Sequence, residues 1–125
     1  HTVPQLPISK PNHLLGIGDI PSIERIVPLG IDTFDSSHPT KCARHGHLFT
    51  SLGTRKITQA IFKEQFSPID PQCECYTCKN FTTAYLHHLF KAKEPTAHTL
   101  ATIHNVTFMA HLMKQYRQRI LNGDI

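Results

Sequence analysis

No stretch of this chain approaches the run of about 18 apolar residues that spans a bilayer, so no membrane partner is expected. The opening segment, His1 to Pro7, lacks the basic start and apolar run of a signal peptide, and no initiator methionine precedes it. It reads as a fragment or a processed piece of a longer protein. At 125 residues it is too short for an eight-stranded α/β barrel, which needs roughly 250, yet long enough for a modest core. Cysteine is scarce, at four residues, and three of these crowd into six positions. That is too tight for a spaced disulfide framework. Thiolate ligands in a reducing, cytoplasmic compartment fit better. Acid is missing from one long stretch: between Asp35 and Glu64 no carboxylate occurs, while Lys41, Arg44, Arg55, Lys56 and Lys63 do. Such a stretch can face phosphates, because each neutralised phosphate releases counterions. The plainer reading is a solvated surface whose acids lie nearby in space.

What is present reads as α/β. His1 to Pro11 is Pro-rich and expected to be a loop. His13 to Gly18 is a short apolar run ending in glycines, which favours a strand and a turn. Asp19 is a natural N-cap and Pro21 suits a first helical turn. Ile23, Ile26 and Val27 give that helix one apolar face, and Pro28 and Gly30 end it. Ile31 to Phe34 is a second short strand, so strand, helix and strand form a βαβ pattern with parallel strands. Asp35 follows directly. In α/β folds the carboxyl ends of strands are where ligands bind, although an Asp there is more often a turn or cap residue. A hairpin is expected from His47 to Thr50 and Lys56 to Thr58 around Gly53. Thr82 to Lys93 reads as a helix capped by Asn80 or Thr82 and ended by Pro95. Thr102 to Leu121 reads as the longest helix, with Val106, Met109, Leu112, Met113, Tyr116 and Ile120 as its apolar stripe.

The segment Cys73 to Cys78 reads C-E-C-Y-T-C. Thiolates are strong zinc ligands, and the two-residue gap between Cys75 and Cys78 lets one turn point both sulfurs inward. Cys73 can reach the same ion from an approaching strand. One tetrahedral corner is left for His87, His88, His98 or His104. Spacing prefers His104 only mildly over His88. A filled shell of three cysteines and one histidine leaves no position for water, which makes the ion structural. Cys42 stands apart, as a small buried hydrophobe or as a nucleophile beside His38 or His45.

These same residues carry a family resemblance. G-I-D-T-F-D followed by P-T-K-C-A-R-H-G-H-L-F-T resembles the active-site stretch of tRNA-guanine transglycosylases, the queuine tRNA-ribosyltransferases. S-P-I-D-P-Q-C-E-C-Y-T-C resembles their zinc-binding run, T-A-Y-L-H-H-L their R-A-Y-L-H-H-L, and T-I-H-N the segment with their histidine ligand. The similarity runs from about His13 onward, in order and spacing. Lys41 stands where many members have Arg, and Ser36 and Ser37 where many have Cys-Val.

The resemblance implies the C-terminal portion of a (β/α)8 TIM barrel with an inserted zinc-binding subdomain. Residues 1–46 would be the last two barrel strands with their helix and active-site loop, 47–104 the zinc subdomain, and 105–125 the C-terminal helix. It implies exchange of guanine at the wobble position of a tRNA anticodon loop for a 7-deazaguanine base, a queuosine precursor. Asp35 would be the nucleophile, preferred over Asp32 because it lies in the F-D pair closing the strand. Lys41 and Arg44 would lie beside the anticodon backbone. Cys73, Cys75, Cys78 and His104 would hold one structural Zn2+ per chain. A homodimer is implied, and Phe81, Tyr85 and His88, on one helical face, are candidates for its interface. The family's other catalytic acids belong to an N-terminal part absent from this sequence, so the segment alone is expected to be inactive and to expose the apolar face of a cut barrel. The alternative reading is a non-catalytic RNA-binding zinc module or a partner subunit of such an enzyme.

Overall fold

The computed structural model describes residues 1–125, which form two compact units. The first comprises His1–Pro39 and Met113–Ile125, the second Thr40–Leu112.

In the first unit, strand β1 (His13–Leu15) pairs in parallel with β2 (Thr33–Asp35), in the register His13 to Thr33 and Leu15 to Asp35. A parallel pair cannot be closed by a tight turn, and helix α1 (Ile20–Ile26) supplies the crossover. Asp19 caps it as expected, accepting from the Ser22 amide at 3.1 Å, and Pro21 sits in the first turn. Ile23 and Val27 are buried beneath it, and a single 3-10 turn (Val27–Leu29) ends at Gly30 with φ +99. β1 is shorter than its apolar run suggested, because Gly16 turns the chain at φ +75, and β2 runs from Thr33 to Asp35 rather than from Ile31 to Phe34. Gly18 is required by space: a Cβ there would sit 2.4 Å from the Ser36 Cβ. That contact holds the chain after β1 against the chain after β2. Leu15 and Leu29 are exposed.

Helix α2 (His38–Arg44), which enters the second unit at Thr40, leads into an antiparallel hairpin of β3 (His47–Thr50) and β4 (Gly53–Lys56). The second strand starts earlier than residue 56 because Gly53, at φ +114, opens it directly. Helix α3 (Tyr76–Asn80) was not foreseen; Cys75 is its N-cap, its sulfur accepting from the Cys78 amide. Helix α4 (Thr83–Lys91) is capped by Thr82, which accepts from the Tyr85 amide at 3.1 Å. Asn80 instead donates to the Tyr76 carbonyl.

The last helix differs from expectation. α5 runs from Pro95 to Leu121. Pro95 does not stop a helix but starts one, where its missing donor is harmless; Lys93, at φ +59, makes the break. His104 therefore lies deep in α5, not in its first turn. Ala97, Leu100, Ala101, His104 and Asn105 form the buried face of its first half. Of the expected stripe, Tyr116 is buried, while Val106 and Ile120 are exposed. The core of this unit joins that face to Leu48, Ile57, Ile69, Leu86 and Leu89 with Cys75 and Cys78.

Candidate metal centre and carboxylate site

The chain from Asp70 to Cys78 folds around its own polar groups. The Cys73 amide donates to the Asp70 carbonyl at 3.1 Å, so Cys73 projects from a turn rather than from the strand expected. Cys75 and Cys78 follow at the cap and first turn of α3. One ring nitrogen meets all three sulfurs: His104 Nδ1 lies 3.6 Å from Cys73 Sγ, 3.6 Å from Cys75 Sγ and 3.3 Å from Cys78 Sγ. The four donor atoms fall within 4.8 Å of one another. A hydrogen bond cannot account for this, since a ring nitrogen has one proton or one lone pair to offer.

The other ring nitrogen bears on which. His104 Nε2 lies 2.6 Å from the Phe49 carbonyl, which can only accept. Nε2 carries a proton, so the neutral ring turns its Nδ1 lone pair toward the sulfurs. A tetrahedral Zn2+ with Zn–S about 2.3 Å and Zn–N about 2.0–2.1 Å would hold its sulfur and nitrogen donors about 3.6 Å apart. The donor set and its spacing fit that ion.

The electrostatics point the same way. Three adjacent thiols cannot all ionise by themselves. Contact with Cys78 holds the Cys75 thiol down, to about 3, while that same contact and burial push Cys78 up. Burial pushes Cys73 up as well. A divalent cation reverses this, because a coordinating thiol is deprotonated outright.

Of the candidate histidines, only His104 joins the cysteines. His87 is buried against the Ile57 carbonyl at 2.7 Å, His88 is exposed, and His98 packs beside Phe90. Two supporting residues escaped the sequence reading. Asn105, fully buried, accepts from the Phe49 amide at 3.1 Å and donates to the His47 carbonyl at 2.9 Å. With His104 it ties α5 to β3 through three backbone groups. Asp70 accepts from the Ser51 amide at 2.8 Å and the Gln72 amide at 3.0 Å. Burial works to raise its pKa, but these hydrogen bonds outweigh it and hold the carboxyl below the ordinary range. The signals were there: Asn105 directly follows His104, and Asp70 precedes the first clustered cysteine by three residues.

In the first unit, Asp35 closes β2 on its exposed face. Its Oδ1 accepts from the Gly16 amide at 3.0 Å and lies 3.1 Å from His13 Nε2. The Gly16 amide first, and then the His13 ring, hold its carboxyl below the usual carboxylate range. Asp32 accepts from the Asn12 amide at 2.7 Å. Lys41 and Arg44 are exposed in the last turn of α2. Burial pushes the Cys42 thiol up, which suits a packing role and not a nucleophile.

A mixed α/β chain with a parallel strand pair and a buried site of three cysteines and one histidine defines the class. The family model for queuine tRNA-ribosyltransferase matches residues 1–125. The queuine tRNA-ribosyltransferase of Protochlamydia amoebophila is 58% identical over 119 residues, covering 95% of this chain and 31% of that protein. That of Chlamydia felis is 51% identical over 125 residues, covering 99% of the chain and 34% of the relative. That of Francisella tularensis subsp. novicida is 48% identical over 123 residues, with 98% and 34% covered. The chain belongs to the queuine tRNA-ribosyltransferase family. It spans about a third of the length of these curated relatives. No helix is long and apolar enough to cross a membrane.

Proposed function

We propose that the protein to which this chain belongs is a tRNA-guanine transglycosylase, replacing the wobble guanine of a tRNA anticodon with a 7-deazaguanine. One observation carries this reading: Asp35, in a chain matched over its whole length by the family, presents an exposed carboxylate at the carboxyl end of a parallel strand. That is where α/β enzymes gather their reacting groups.

In this reading Asp35 attacks C1′ of the ribose. A C1′–O bond to Asp35 forms as the C1′–N bond breaks, and guanine leaves with the bonding pair. The incoming base attacks C1′ through its ring nitrogen, and Asp35 departs with its electron pair as a carboxylate. Protons lost by the incoming base and gained by guanine pass through acid–base groups beyond this chain. Ionisation of Asp35 at neutral pH, favoured by Gly16 and His13, is the state such an attack requires. Lys41 and Arg44, exposed on a segment free of acids, position the RNA backbone.

Cys73, Cys75, Cys78 and His104 would hold one Zn2+, which supplies a cross-link and no open position for chemistry. Residues 1–46 are read as the closing part of a TIM barrel, 47–104 as the inserted zinc subdomain and 105–125 as the C-terminal helix. A homodimer and a cytoplasmic setting complete the reading. Its interface would use the face of Phe81, Tyr85 and His88, on which Tyr85 and His88 are exposed and the half-buried Phe81 stacks on Tyr85 with ring centroids 5.3 Å apart.

The test uses the full-length protein. Asp35→Asn should abolish both base exchange and the covalent RNA adduct trapped on denaturation. Exchange at the parental rate would reject Asp35 as the nucleophile.

A further inference from the structure

His13 lies outside the motifs quoted for the resemblance, and in the reaction above it only favours the ionised state of Asp35, yet its ring lies directly against the reacting carboxylate. The register of the parallel pair explains how. His13, Leu15, Thr33 and Asp35 all lie on the exposed face of the two strands, while Leu14 and Phe34 turn to the half-buried face. His13 stands opposite Thr33 and one step diagonally from Asp35. Its ring bridges them: Nδ1 is 2.7 Å from Thr33 Oγ1 and Nε2 is 3.1 Å from Asp35 Oδ1.

An ionised carboxylate only accepts, so Nε2 must carry a proton. In the neutral ring Nδ1 is then the acceptor, and the Thr33 hydroxyl donates to it. The carboxylate thus sets the tautomer, and the Thr33 hydroxyl, which can donate or accept, holds the ring in place from its other side. The Gly16 amide donates to the same oxygen, Oδ1, at 3.0 Å. Two donors converge on Oδ1, and neither holds Oδ2.

We propose that His13, held by Thr33, is a positioning residue that fixes Oδ1 of Asp35 and so presents Oδ2 as the attacking oxygen. This rests on the reading of Asp35 as the ribose-attacking carboxylate. An aspartate can exchange its two oxygens by rotating its last torsion, and an exposed one does so freely. Donors on Oδ1 remove that freedom before the attack. The same arrangement serves the second half of the exchange. Once Oδ2 is bonded to C1′, Oδ1 is the ester carbonyl oxygen. When the incoming base displaces Asp35, negative charge returns to the carboxylate, and the two N–H groups already stand where it develops. His13 is therefore expected to act in both steps, without touching substrate.

The experiment compares four variants of the full-length, zinc-containing protein: His13→Phe, His13→Gln, Thr33→Val and Asp35→Asn. The readouts are kcat and KM for tRNA and the single-turnover rate of adduct formation, with zinc content and melting temperature as checks on folding. His13→Phe keeps a ring and loses the donor, and kcat should fall about tenfold, with KM for tRNA little changed. His13→Gln places an amide N–H near the Nε2 position and should recover most of that loss. Thr33→Val should show a smaller loss of the same kind. The position is exposed, so none of these should impair folding; if His13→Phe does, the comparison of Gln and Val variants with the parent decides. A parental kcat in His13→Phe, or a glutamine variant no better than phenylalanine, overturns the proposal. Asp35→Asn separates the two levels. If it retains exchange, the nucleophile reading itself fails. If it is inactive while His13→Phe is parental, only the role of His13 fails.

Discussion

His104 and Phe49 are joined by a hydrogen bond of 2.6 Å from the ring Nε2 to the backbone carbonyl. That single contact decides the chemistry at the opposite side of the ring. With Nε2 protonated, Nδ1 has a lone pair, and it points at three sulfurs. Histidine ligands are commonly oriented by such an outer hydrogen bond, which also raises their basicity.

Replacing His104 by Ala should cost the protein its metal. The purified full-length variant is expected to carry well under one zinc per chain and to melt at a lower temperature, because structural metal binding is folding free energy. His88→Ala is the matched control, since His88 is exposed and away from the sulfurs. Elemental analysis of the two proteins checks this. Full zinc in the His104 variant would exclude it as a ligand.

Asn105→Ala should destabilise the second unit by about 2–4 kcal/mol, because it leaves a buried amide and a buried carbonyl of β3 without their partners. Zinc affinity should also fall by roughly 10–100-fold, as β3 no longer holds the Phe49 carbonyl against His104. Denaturant titration and competition with a chelator measure the two effects separately. A variant with parental stability would show that the clamp is redundant.

Asp70 makes a pH-dependent contribution whose sign follows from its lowered pKa. A carboxyl with a folded-state pKa below its unfolded value of about 3.9 stabilises the fold above that value. The contribution is lost as pH falls through the lower, folded value. Asp70→Asn should therefore be less stable than the parent by about 1–2 kcal/mol at pH 7, with the gap closing as pH falls from about 3.9 through the lower, folded-state value. Melting curves of both proteins across that range test it. A constant difference at all pH values would mean that shape rather than charge matters at this position.

Lys41→Ala and Arg44→Ala should each weaken tRNA binding in a salt-dependent way. Loss of one phosphate contact lowers the slope of log K against log salt by about 1. Filter binding at several salt concentrations reads this slope directly. An unchanged slope in both variants would remove these residues from the RNA surface.

Local chemistry was legible in the sequence wherever neighbours in the chain determine it. Asp19 and Pro21 start a helix because the cap and the missing donor act within one turn, and the structure has them there. The three cysteines are close enough to predict a shared ion whatever the surrounding fold. Gly16 and Gly30 end their elements through their own backbone conformations.

The remainder needed distant parts of the chain to meet. His88 and His104 were nearly equal candidates by spacing; α5 carries His104 to the sulfurs, and α4 leaves His88 in solvent. Pro95 is ambiguous in sequence, because proline both blocks a helix interior and suits a first turn. The roles of Asn105 and Asp70 depend on β3 and on the Ser51 turn, neither of which is near them in sequence. The hydrogen-bond partners of Asp32 and Asp35 likewise lie about twenty residues away, at Asn12 and at His13 with Gly16. Composition and spacing supply the donor atoms. Only tertiary packing determines which of them converge, because hydrogen-bond partners and buried faces are properties of space and not of chain order.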